Sequence, residues 1–140
     1  MAPDYELIAY MPFRYTIDKN RQLVVSRGSG VLTKNELLSY RHQLRSDPNF
    51  DESFWRLIDL TEVTDIQVSA DEISFLAQLN TGSPQARRAI VANRALFNRL
   101  ARMYEVMEQK LGGQVELTQV FADLPSAERW LGLDEPPRST

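Results

Sequence analysis

Six residues, Trp55-Arg56-Leu57-Ile58-Asp59-Leu60, do most to limit what this chain can fold into. The run is too short for a helix and too apolar for a loop, so it reads as a strand buried inside a sheet. A polar loop, Thr61 to Ser69, follows it. Ser69 and Glu72 then make a capping box, in which the hydroxyl takes a free helical N–H and the carboxylate reaches back to the cap. After it, Ile73, Leu76 and Leu79 recur at helical spacing. A buried strand feeding an amphipathic helix is the unit of α/β proteins, whose parallel strands are joined by right-handed crossovers. In open sheets of that kind, ligands and partners meet the protein beyond the carboxyl ends of the strands, where the Thr61–Ser69 loop lies.

The remaining segments extend this unit. Phe13, Tyr15 and Ile17 alternate with Arg14, Thr16 and Asp18, a half-buried strand pattern, and Tyr5 to Met11 reads as a further extended piece before Pro12. A polar turn, Asp18 to Arg21, leads to a return strand at Gln22 to Ser26, which makes a hairpin. Thr33 and Glu36 form a capping box for a helix carrying Leu37, Tyr40, Arg41 and Leu44 on one side, stopped at Asp47-Pro48-Asn49. After the central strand, a helix from Ser69 to Asn80 and a loop over Thr81 to Pro84 are expected. Arg88 to Ala92 is another short apolar strand, with Asn93 capping a helix from Arg94 to Leu111 that closes at Gly112-Gly113. Val115 to Phe121 is the last strand. Asp123 caps a final short helix with Pro125 in its first turn and Trp130 and Leu131 toward the core. The order is β-β-α-β-α-β-α-β-α, an α/β fold with a mostly parallel sheet and an antiparallel N-terminal strand.

Composition bounds the function. At 140 residues the chain suits one domain, 1–133, with 134–140 as a flexible tail. A formal net charge of −3 with interspersed signs argues against a nucleic-acid binder. The absence of cysteine excludes disulfides, thiolate metal sites and thiol nucleophiles. Acidic residues at the N-terminus do not match a signal peptide, and no apolar run approaches the roughly 18 residues of a membrane span. A cytoplasmic protein is expected.

Ile58-Asp59-Leu60-Thr61 at the strand end, the Ser-capped helix after it, Ala89-Ile90-Val91-Ala92-Asn93, Val120-Phe121 and Ala127-Glu128-Arg129-Trp130-Leu131 together resemble bacterial STAS domains. These are the anti-sigma-factor-antagonist-like modules, here of the small stand-alone kind. The resemblance implies a β-α superhelical fold shared with lipid-binding CRAL-TRIO domains. It implies two functions: a regulatory protein-interaction module, and a binder of a small apolar or lipid-like ligand between sheet and helices near Leu76 and Phe97. In phospho-switch members an Asp-Ser-Ser-Gly run opens the helix after the central strand and a partner kinase phosphorylates one serine. Only Ser69 corresponds here, its neighbours differ, and Asp71 and Glu72 would repel a phosphate, so Ser69 reads as a plain N-cap.

Other chemistry is thin. Gly28-Ser29-Gly30 lacks the context of a phosphate loop and reads as a flexible turn. His42 has no nucleophile or carboxylate in a motif with it. Asp59, Glu62 and Asp65 gather at one strand end, a pattern turns also favour. The expectation is therefore a non-catalytic module without cofactor or metal. Glu62, Asp65, Gln67 and Ser69 are its partner-binding or switch candidates, and Arg88 and Arg94 are its anion-binding candidates. The partners considered are a regulatory protein or kinase, a lipid-like small molecule and a second copy of the chain.

Overall fold

The computed structural model describes residues 12–69, 71–72, 86–99, 101–102 and 118–133. They form a five-stranded mixed sheet in the order β1-β2-β3-β4-β5. β1 (Phe13–Asp18) runs antiparallel to β2 (Leu23–Thr33), and β3 (Trp55–Gln67), β4 (Arg88–Ala92) and β5 (Thr118–Phe121) continue parallel to β2. α1 (Lys34–Ser46) follows β2, residues 94–99 are helical after β4, and α2 (Leu124–Trp130) follows β5. This is the expected α/β class with its antiparallel N-terminal strand. The expected extended piece at Tyr5 to Met11, most of the helix from Ser69 to Asn80, the end of the helix from Arg94 to Leu111, Val115 to Leu117 and the tail lie outside the described residues.

Side-chain alternation divides the core between the two faces of the sheet. On one face Phe13, Val24, Leu60 and Ile90 pack with Tyr40 and Leu44 of α1 and with Leu96. On the other, Leu23, Leu57, Ala89 and Val91 pack with Ala127 and Leu131 of α2. Each fully buried leucine, such as Leu44 at 1% exposure, is worth roughly 1.5–3 kcal/mol. Tyr40 stacks on Phe13 at 4.2 Å between centroids, and its hydroxyl shares a hydrogen bond with Ser26, the buried polar residue beneath it. Helix entry follows the capping chemistry: the Thr33 N–H donates to Glu36 Oε2 at 2.9 Å, and Asp47 closes α1.

Two expectations need correction. The return strand does not stop at Ser26, and Gly28-Ser29-Gly30 is not a turn: β2 has 11 residues and runs through the glycines to Thr33. Nor is Thr61 to Ser69 a loop, because β3 has 13 residues and pairs with β2 as far as Thr33↔Gln67. The cause is a pair of bulges. From Arg27↔Asp59 to Ser29↔Glu62, β2 advances two residues while β3 advances three; from Gly30↔Val63 to Val31↔Asp65 it advances one while β3 advances two. Each extra residue in β3 moves the alternation by one position. Leu60, Val63 and Ile66, spaced by three, therefore all reach the same core. Gly28 sits beneath them, where an added Cβ would come within 3.0 Å of both Leu60 Cδ2 and Val63 Cγ2. Gly30, at φ +68°, takes a backbone geometry that glycine adopts without strain.

Candidate functional site

The carboxyl ends of β2, β3, β4 and β5 meet at one edge of the sheet, and each strand passes directly into a capped helix start. Thr33, Ser69, Asn93 and Asp123 are the caps. At Ser69 the bonding is reciprocal: the Glu72 N–H donates to Ser69 Oγ at 3.1 Å, and the Ser69 N–H donates to Glu72 Oε1 at 3.1 Å. Those bonds to Ser69, backbone first, hold the Glu72 carboxyl below its ordinary range. The Ser69 hydroxyl is thus committed to the helix start, in keeping with the plain-cap reading.

Beyond Leu60, β3 has left β4 behind, since their pairing ends at Leu60↔Ala92. A strand edge with unpaired carbonyls needs other donors. Asn93 Nδ2 donates to the Val63 carbonyl at 3.1 Å, and Arg99 Nη2 donates to the Ile66 carbonyl at 3.0 Å. Arg99 also donates through Nη1 to Asp65 Oδ1 at 2.7 Å, which closes an ion pair on the surface. The hydrogen bond from Arg99, with help from the Ile66 amide and Gln67, holds the Asp65 carboxyl below the usual range. The two bulges also have local acceptors. Asp59 Oδ1 takes the Thr61 N–H at 3.0 Å and its hydroxyl at 2.7 Å, and Asp65 Oδ1 takes the Ile66 N–H at 2.9 Å.

The structure therefore brings Asp65, Gln67 and Arg99 together, with Ser69 just beyond the end of β3. Glu62 lies one bulge upstream, on the exposed surface. Among the described residues no group of three or more His, Asp or Glu side chains is placed to hold a metal ion. The anion candidates Arg88 and Arg94 are parted: Arg88 opens β4 and Arg94 follows its far end, so a strand of about 16 Å separates them. Arg88 lies beside Arg56 across the β3–β4 ladder, near the buried Tyr40. Arg94 is exposed near the β4 carboxyl end. His42 is exposed on α1. Phe97 packs, half-buried, against the core, and Leu76, named with it for an apolar ligand, lies outside the described residues. The sequence marks Arg99 only as one of the arginines that make residues 87–102 the most basic stretch, a solvated helix face, and does not show that it clips this edge.

No protein-family model matches the chain, and no curated protein matches it in sequence. Among solved structures it is similar to an uncharacterised protein of the DUF3478 family from Shewanella loihica PV-4, described as having a SpoIIAA-like fold. That match has a TM-score of 0.57 at 20% identity and covers 85% of this chain and 93% of the other. The chain has a SpoIIAA-like, and so STAS-like, fold. Among the described residues no helix is long and apolar enough to cross a membrane.

Proposed function

We propose that this chain is a non-catalytic protein-interaction module whose docking surface is the end of the β2–β3 arm. One observation carries the reading: the arm runs past β4 with its outer edge hydrogen-bonded by the Asn93 and Arg99 side chains, while Glu62, Thr64, Gln67 and Ser69 stand exposed along it. Binding residues are often carried on segments that a scaffold positions at its edge. The groups that could do chemistry are already engaged in that scaffold. Asp59 and Asp65 hold bulge amides, and Ser69 and Glu72 hold a helix start. A phosphate on Ser69 would sit against the Glu72 carboxylate, so the regulatory partner is better matched to the surface than to a serine switch.

The structure also improves the choice of variants. Asp65 braces Arg99 and the bulge, so changing it confounds binding with stability. Glu62→Ala with Thr64→Ala alters the exposed surface alone, because neither side chain bonds to another group among the described residues. Affinity capture from the native host, compared between wild type and this double variant, is expected to lose its specific partner. The melting temperature should stay the same. An identical set of captured proteins would reject the reading.

A further inference from the structure

We propose that Arg14 and Arg27, on the part of the α2-bearing sheet face that lies beyond α2, dock an acidic segment of a partner protein. The site goes beyond the arm-end reading and stands even if that surface binds nothing. Phe13, Tyr15 and Ile17 face the α1 core, so Arg14 and Thr16 between them point to the opposite face. Leu23 and Val25 belong to the α2 core, which places Arg27 on that same face. Register makes Arg14 and Arg27 direct cross-strand neighbours, with Cα atoms about 5 Å apart. α2 packs over β3, β4 and β5 and leaves this corner uncovered by it, with Thr16 and Arg27 exposed and Arg14 and Val25 half-exposed.

Like charges directly opposite one another destabilise a ladder. Asp59, in register with Arg27, offsets part of this repulsion but bonds to neither arginine. Neither arginine has an ion pair or hydrogen bond there. Asp59, which neighbours Arg27 in register, gives its carboxylate to Thr61, and Asp18 gives its own to Arg21. Two arginines at cross-strand spacing offer N–H donors to carboxylates, and Val25 and Thr16 alongside provide a short apolar contact. The formal net charge of −3, with Asp59 beside the pair, disfavours an extended polyanion such as nucleic acid and favours a short carboxylate-bearing segment.

The test is an NMR amide titration of the full chain with a blocked six-residue glutamate peptide at low salt. Saturable shifts are expected at the amides of Arg14 to Thr16 and Val25 to Arg27, with affinity falling about tenfold in Arg27→Gln. The Glu62→Ala/Thr64→Ala variant should bind the peptide as wild type does, which separates this site from the arm end. Three results would overturn the proposal: no localised shifts, shifts confined to the arm end, or tighter binding of a single-stranded oligonucleotide at the same amides.

Discussion

Tyr15 joins sheet to helix through its hydroxyl, which donates to Asp47 Oδ2 at 2.9 Å and to the Gln43 carbonyl at 3.2 Å. Burial, and then the hydrogen bond to Asp47, push its ionisation well above the ordinary tyrosine value near 10. Tyr40, buried beside Ser26, is raised by burial as well. A group whose folded-state value is raised contributes stability that is intact below its unfolded value and is lost as pH climbs past it. The urea midpoint should therefore hold to about pH 10 and fall above it. Tyr15→Phe should cost about 1 kcal/mol at neutral pH, for one lost hydrogen bond, and should lose less on alkalinisation than wild type. An alkaline decline as steep in Tyr15→Phe as in wild type would remove Tyr15 from this account. Contacts within a few residues were legible in the sequence: Thr33 with Glu36 and Ser69 with Glu72 depend only on local spacing. Arg99 with Asp65 and Arg14 opposite Arg27 were not, because each depends on how separate strands and helices register.

At the scale of the element, β3 is two strands in one. Trp55 to Leu60 is flanked by β2 and β4, while Glu62 to Gln67 has β2 on one side and the side chains of Asn93 and Arg99 on the other. Side-chain donors on a bulged edge open more readily than a continuous ladder. Amides from Glu62 to Gln67 should exchange with deuterium markedly faster than those from Leu57 to Leu60. Arg99→Gln should speed exchange in the first group and leave the second unchanged. Uniform protection along β3 would show that the arm is no weaker than the central sheet. The bulges also explain why the strand's second half read as a loop. Thr61-Glu62-Val63-Thr64-Asp65-Ile66-Gln67 alternates badly on a period of two, and its buried residues reach one face only because β3 carries two extra residues. In β2, Gly28 and Gly30 read as turn residues, yet Gly28 is there because Leu60 and Val63 leave no room for a side chain. What was legible was each strand's apolar centre; what was hidden was where pairing with a neighbour prolongs it.

Among the described residues, α1 and the helical segment 94–99 cover one face of the sheet, and the short α2 covers part of the other. A helix of 7 residues has little stability of its own, so α2 must be held by its contacts. Arg87, just before β4, provides the clamp. Its guanidinium lies 5.0 Å from the ring centroids of both Trp55 on β3 and Trp130 on α2, and its Nη1 donates to the Trp130 carbonyl at 2.8 Å. Phe121 on β5 meets Trp130 at 5.7 Å, so β3 and the last helix meet on one cation and β5 backs the Trp130 ring. Two cation–π contacts and a hydrogen bond to a charged donor suggest a loss of about 2 kcal/mol in Arg87→Ala. Arg87→Lys should recover only part of it, because an ammonium cannot lie flat between two rings. The chain has 2 tryptophans, and both belong to this clamp, so intrinsic fluorescence reads it without labels. Arg87→Ala should shift the emission to the red before global unfolding begins, as α2 loosens from the sheet and water reaches Trp130. If emission and urea midpoint both match wild type, α2 is held by Ala127 and Leu131 in the core alone, and the clamp contributes nothing to the closure of that face.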